Sequence, residues 1–246
     1  AIGAILTFVP HLKGDIPIVS PLPFNVGEQL NFKLYLEFIF GGNASMRVEE
    51  EEIVDGKSCY RLVSEAQSTP TVDLFYKVRD RIESLRDTHT GFSRRYIKRL
   101  REGKWAEDKF VEYKPEMGQV LLTRKPGQQP ETLSVSHPVY DILNAFYQVR
   151  FQRLEVGRSI FLDVHDIDKT YRLEVKVLRK EEVKVPAGKF KCILIEPMLQ
   201  SAGIFRREGS MFIWLTDDHR RLPVMMASRL YFGSVWAKLN DFKLAK

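Results

Sequence analysis

Asp217, Asp218 and His219 stand together after Trp214. Two carboxylates beside an imidazole can do acid–base work, for instance on a glycosidic bond, but only inside a pocket that shifts their pKa values. Arg220 and Arg221 follow at once, so the simpler reading is a charged turn held by arginine–carboxylate pairs. Asp163, His165, Asp166 and Asp168 are the densest set of candidate metal ligands, with Asp163 and His165 on one face of a strand. A calcium loop wants about six or more oxygens and a glycine at its bend. This set reads instead as a strand ending in an Asp-Ile-Asp-Lys turn, and neither a metal nor a cofactor is expected. Gly-x-Ser-x-Gly, a phosphate-binding glycine loop, His-Glu-x-x-His and Cys-x-x-Cys are all missing. The leading expectation is therefore a non-catalytic binding or assembly module. A glycan-directed hydrolase or lyase at Asp217 and Asp218 is the alternative.

Binding chemistry has two candidate surfaces. Arg94, Arg95, Lys98, Arg99, Arg101 and Lys104 interleave with Phe92, Tyr96 and Trp105. Such a mixture can hold an anionic lipid head group or an acidic glycan through Arg95, Arg99 and Trp105. On a strand, however, Arg95 and Arg99 share one face while Arg94 and Lys98 share the other. A solvated face paired with the four glutamates at 49–52 explains the run as well, and nucleic acid is not expected. The second candidate is apolar. Met211–Thr216 is apolar on both faces, so it is buried on both sides or lines a cavity. Phe205, Phe212, Trp214 and Met226 either soften such a cavity or form plain core.

The elements that position these residues are strands. The chain has 246 residues, 44% of them apolar and 28% charged, with a net charge of +6; this is ordinary globular composition. Leu30, Phe32, Leu34, Leu36, Phe38 and Phe40 alternate with Asn31, Lys33, Tyr35 and Glu37, which predicts one long strand. Gly41-Gly42-Asn43 then supplies a tight turn. Strands are expected at 44–54, 57–68, 78–86, 92–101, 104–113 and 119–124, with helix-like residues near 72–76. Tyr171, Leu173, Val175 and Val177 alternate cleanly in the second half. Only 138–157 carries a helical period, with Ser136 as its cap; Ile142, Phe146 and Val149 share one face, Leu143 and Tyr147 another. The reading is a mainly β domain, an antiparallel meander curling into an open barrel or sandwich, with one short helix near the middle. It spans 27–246 behind an extended proline-rich lead-in at 1–26. The apolar start Ala1 to Val9 is shorter than the ~20 residues of a span. It is either the tail of a trimmed anchor, the one route to membrane association, or an extra strand. Cys59 and Cys192 form one disulfide in an oxidising compartment or are two buried small hydrophobes.

Several motifs carry a likeness. They are Pro23-Phe24-Asn25-Val26-Gly27-Glu28-Gln29-Leu30, Asp80-Arg81-Ile82-Glu83-Ser84, Val185-Pro186-Ala187-Gly188-Lys189-Phe190, Trp214-Leu215-Thr216-Asp217-Asp218 with Arg220-Arg221-Leu222-Pro223-Val224, and Phe232-Gly233-Ser234. Together, in this order, they resemble the bacterial exported family catalogued as domain of unknown function 3108. The resemblance implies an exported, periplasmic, antiparallel β domain and supplies no catalytic residue. Its partners would be a lipid, a glycan or a protein of the cell envelope. Within these motifs Arg81, beside Glu83, is expected to pair with Asp217 or Asp218, with Arg221 adjacent. The run of glutamates at 49–52 departs from an alternating strand.

Overall fold

The structure, a computed structural model, describes residues 22–135, 137–199, 211–230 and 233–245. Alternating apolar residues become strands β1 (Gln29–Leu36), β2 (Ile39–Val54), β3 (Lys57–Ser68), β4 (Arg79–Asp87), β5 (Ser93–Glu102), β6 (Trp105–Lys114), β7 (Gln119–Thr123) and β8 (Glu131–Ser134). The second half adds β9 (Ser159–Asp166), β10 (Lys169–Val185), β11 (Gly188–Pro197), β12 (Met211–Thr216), β13 (Pro223–Leu230) and β14 (Gly233–Lys243). Helix α1 (Pro70–Asp73) joins β3 to β4, and α2 (Ile142–Val149) separates the two halves.

All fourteen strands form one antiparallel sheet in the order β8 to β1, then β14 down to β9. Neighbours are consecutive in sequence except β1 and β14, which pair from Gln29↔Lys243 to Leu36↔Val235. The sheet curls on itself, as the open-barrel expectation has it, and the sandwich alternative falls away. The two edge strands, β8 and β9, do not pair. The segment between β8 and α2 spans the gap instead: Val135 N–H bonds Gly118 O, Ser93 N–H bonds Val139 O, and Tyr140 exchanges bonds with Asp163 O and His165 N–H. Arg124 adds an ion pair to Asp168. A covered edge does not recruit another chain.

A barrel of this many strands is too wide for its own side chains to fill, and α2 occupies the interior. It is capped by Asp141 and covers half the span its period suggested; Ser136, the expected cap, lies outside the described residues. After Val149 the N–H groups of Arg150, Phe151 and Gln152 bond to carbonyls three residues back, the tightened last turn that ends a helix. Arg150 then anchors that end. Its guanidinium meets Glu28 at 2.7 and 2.8 Å and donates to Pro23 O at 2.7 Å and Arg220 O at 3.0 Å. Phe24, from the stretch read as lead-in, is buried against Tyr147 and Phe151.

Two expected features are corrected. The first tight turn lies at Glu37-Phe38, with Glu37 at φ 54°, and Gly41, Gly42 and Asn43 lie inside β2. Gly42 is needed there because a Cβ would overlap the Gln67 carbonyl oxygen of β3. The glutamate run is accommodated by a register shift between Val48 and Glu51, a β-bulge that lets extra residues face solvent. Cys59 and Cys192 are both buried and free, so the small-hydrophobe reading holds.

Glu28→Ala would leave Arg150 charged and buried. The expected loss is about 3–5 kcal/mol, against about 0.5 kcal/mol or less for Glu182→Ala at an exposed pair with Lys189. Urea unfolding of the two variants checks the contrast.

Candidate functional site

Helix α2 has two working faces. Asn144 and Gln148, four apart, point to one side and accept from Arg86 at 2.7 and 2.8 Å. Ile142, Ala145, Phe146 and Val149 recur at helical spacing on another and line a cavity of about 270 Å³. The sheet supplies the rest of its wall: Phe32, Met46, Ile82, Leu173, Ile195, Ile213 and Met226 among others. Among the described residues the polar side chains on the wall are Ser64 and Tyr96. Burial pushes the Tyr96 phenol well above its ordinary range, so it stays neutral. Ile142, Phe146, Leu199, Met211 and Met226 keep partial exposure, so the cavity communicates with solvent.

Buried polar groups fix the helix that floors this cavity. The Asp141 carboxylate accepts from the Ser84 and Ser93 hydroxyls, both at 2.6 Å, and from Asn144 N–H at 2.9 Å. Desolvation nonetheless pushes its pKa up to about 6. Arg86 has no carboxylate within ion-pair distance among the described residues. It donates to Gly91 O at 2.8 Å besides the two helix amides, and lies 4.8 Å from the Phe151 ring centroid. Burial pulls its pKa down to about 10, still above neutrality.

The sequence candidates sit elsewhere, with one exception: Met226 is on the cavity wall. Phe212 and Trp214 project from the opposite face of β12. Trp214 Nε1 donates to Glu181 at 2.6 Å, and its ring lies 6.2 Å from Trp236. Trp105 is exposed at the β5–β6 turn. Phe205 lies outside the described residues.

The charged candidates belong to one ladder across the outer face of β2 to β6. Arg47 bridges Glu49 and Glu65. Glu83 gathers Arg61, Arg81 and Arg99 at 2.8, 2.9 and 3.0 Å, and Arg95 reaches Glu52 and Glu112. Arg81 therefore pairs with Glu65 and Glu83, not with Asp217 or Asp218. Strand alternation sets it beside Glu65, whereas the aspartates occupy the turn after β12, beyond five intervening strands. A groove of about 610 Å³ on this outer face, between Asn31, Asn43, Gln67 and Arg79, is larger than the interior cavity. Its arginines and Glu65 are committed to ion pairs, and Asp80 and Asp241 accept from Arg101 N–H and the Asn31 amide.

Asp218 accepts from Thr216 Oγ1, Arg220 N–H and the Arg220 guanidinium. Asp217 binds Lys180 at 2.7 Å and Arg221 at 3.3 Å. The Lys180 ammonium holds Asp217 below the usual carboxylate range. Partial burial works against ionisation of Asp218, but Thr216 and Arg220 outweigh it and hold that group low as well. Neither carries a proton to donate at neutral pH. His165 is buried, 3.3 Å from Tyr113 Oη, and desolvation lowers its pKa. Among the described residues no three His, Cys, Asp or Glu side chains group as a metal site, and no helix is long and apolar enough to cross a membrane.

The profile of a family described as protein of unknown function (DUF3108) matches residues 31–240. No curated protein matches the sequence. Among solved structures, a β-barrel-like protein of the domain of unknown function DUF1849 from Brucella abortus superposes with a TM-score of 0.62 at 10% identity, covering 91% of this chain and 99% of that one. A candidate lipoprotein from Parabacteroides distasonis gives 0.39 at 12% identity, covering 90% and 97%. A candidate exported protein with a YmcC-like fold from Bacteroides fragilis gives 0.34 at 12%, covering 90% and 98%. The first of these shows that the curled sheet is a recurrent fold; at such identities a likeness speaks for architecture alone.

The raised pKa of Asp141 sets a pH dependence. The folded protein holds this proton more tightly than the unfolded chain, whose carboxyl titrates near 3.8. Its contribution is fully present below about pH 4 and is lost as pH rises to about 6. Asp141→Asn keeps a capping oxygen but removes the titration. The stability difference, wild type minus variant, should therefore fall between about pH 4 and 6 in urea titrations. A flat or rising difference would count against a buried, titrating Asp141.

Proposed function

The chain belongs to the family described as protein of unknown function (DUF3108), and within it we propose a non-catalytic binding module of the bacterial cell envelope that holds a lipid acyl chain. The observation that carries this reading is the solvent-connected apolar cavity between α2 and the sheet. Ligand pockets run to about 300–1,000 Å³, so about 270 Å³ admits a length of hydrocarbon, and the apolar lining selects that over a sugar or head group of similar size. Each methylene moved there from water contributes about 0.8 kcal/mol. Ser64 and Tyr96 offer a hydroxyl each, too little to solvate a charged or polyhydroxylated ligand. The head group would remain outside. The envelope setting follows from the motifs read in the sequence.

Absence of turnover is part of the proposal. Among the described residues the wall holds no carboxylate, imidazole or thiol, and Asp217 and Asp218 are committed to Lys180, Arg220 and Arg221.

The test is binding of cis-parinaric acid, followed by its fluorescence, with mass spectrometry of lipid extracted from purified protein. Met226→Trp and Met211→Trp narrow the cavity from the adjacent strands β13 and β12 and should weaken parinaric acid binding about tenfold or more, roughly 1.4 kcal/mol, while circular dichroism stays unchanged. Wild-type protein that takes up no parinaric acid would sink the reading. So would hydrolysis of a cell-wall glycan that disappears with Asp218→Asn.

A further inference from the structure

The end of the barrel opposite Arg150 is ringed by apolar side chains that the fold holds out in water. Phe38 is 88% exposed at the β1–β2 turn, with Ile39 and Phe40 beside it. Leu74 and Phe75, after α1, are 80% and 87% exposed, followed by Tyr76. Trp105 stands at the β5–β6 turn. These three connections touch. Thr69 N–H bonds Gly41 O, and Gly103 N–H bonds Lys77 O. The Tyr76 ring lies over Gly103, where a Cβ would stand 2.8 Å from it.

The display is built, not frayed. Thr69 caps α1 through its hydroxyl, and Pro70 fixes the first helical φ. Arg79 holds Asp73 through two nitrogens, and Ser68 bonds the same carboxylate. A capped, ion-paired turn thus presents Leu74 and Phe75 outward, where burial would normally have been the favourable outcome. Between them Lys77 and Lys104 are exposed, and neither makes an ion pair within the described residues.

The rim stands at the end of the cavity away from Arg150. Helix α2 closes the other end, where Arg150 meets Glu28 at the start of β1. The wall residues Pro197, Leu199 and Met211 lie at the ends of β11 and β12. The pairings Leu36↔Val235, Val235↔Ser228 and Ser228↔Met211 place Met211 level with the rim.

We propose that this rim docks the barrel, mouth down, on the surface of a bilayer containing anionic lipid. This rests on the acyl-chain reading of the cavity and adds where the chain is exchanged. Aromatic and aliphatic tips flanked by lysines match the chemistry of a membrane interface, with rings at head-group depth and ammonium groups among phosphates. Turn tips that protrude singly penetrate a soft surface, whereas a rigid protein partner is met by a continuous packed patch. With the rim engaged, an acyl chain passes between bilayer and cavity without crossing water.

The experiment is flotation with vesicles of phosphatidylethanolamine and phosphatidylglycerol, compared with phosphatidylcholine alone. Wild-type protein floats with the anionic vesicles, less so at high salt, and brominated lipid quenches Trp105, a signal lost in Trp105→Phe. The exposed double variant Phe38→Asp/Phe75→Asp lowers flotation about tenfold or more, and Lys77→Glu/Lys104→Glu lowers it on anionic vesicles only. Parinaric acid uptake in solution is unchanged in both. Wild-type protein that stays unbound, or an aspartate variant that floats like wild type, overturns the proposal. A dimer by sedimentation that the same variant dissolves also overturns it, because the rim then serves a second copy. The two readings fail separately: wild-type protein that binds vesicles but takes up no parinaric acid refutes the cavity's role alone, and uptake without vesicle binding refutes the rim's.

Discussion

A short helix carried inside a sheet must leave few of its polar groups unsatisfied, and the rest of this molecule is arranged around that constraint; on α2 the Tyr147 hydroxyl is the exception among the described residues. Helix α2 meets it at three points. Asp141 closes the first turn and is itself satisfied by Ser84 and Ser93. Arg86 serves the middle through Asn144 and Gln148. Arg150 closes the far end against Glu28 and two carbonyls. Each contact reaches a different part of the sheet, so the helix is a cross-brace between β4, β5 and the start of β1. A half-satisfied set of this kind would be worse than an apolar interior. Here nearly every donor is used, and Arg86 keeps its charge through oxygens and aromatic faces without a counter-ion.

The brace divides the lumen. On the side of Phe24, Tyr147 and Phe151 the aromatic rings fill the space. On the other side the small and branched residues Ala145, Ile142 and Val149 leave it open. The same eight residues therefore act as floor for a cavity and as plug for the opposite mouth. The outer face is built differently: its arginines and glutamates pair with one another across β2 to β6.

Much of the architecture was legible because burial on one face imposes a period of two. The alternation at Tyr171, Leu173, Val175 and Val177 became β10, and the break between the strands expected at 44–54 and 57–68 became a turn at Asp55-Gly56, with Gly56 at φ 74°. The alternation from Leu30 to Phe40 misled past Leu34, because Phe38 and Phe40 are apolar without being core. Pattern reports residue type, and only the curled sheet says which apolar residues stay wet. The site was less legible for a related reason. Ile142, Phe146 and Val149 were visible as one helix face, but what they face depends on strands as far away in sequence as Phe32 in β1 and Met226 in β13. Asn144 and Gln148, four apart in an apolar helix, were the available sign that this helix has a buried polar partner. Arg81 drew attention to Asp217 and Asp218 by motif, while the local register with β3 had already settled its partner as Glu65.

The seam between β1 and β14 has a consequence in time as well as in space. It joins the first and last described strands of the sheet across some two hundred residues, while all other pairs are made between neighbours in the chain. As the polypeptide is synthesised, β1 is among the first strands available and its outer row of amides and carbonyls has no partner until β14 arrives. For that interval the growing chain carries an open, eight-residue template for adhesion to other chains. Any factor that escorts this protein to its destination would find its natural purchase there, on an edge that the finished molecule no longer possesses.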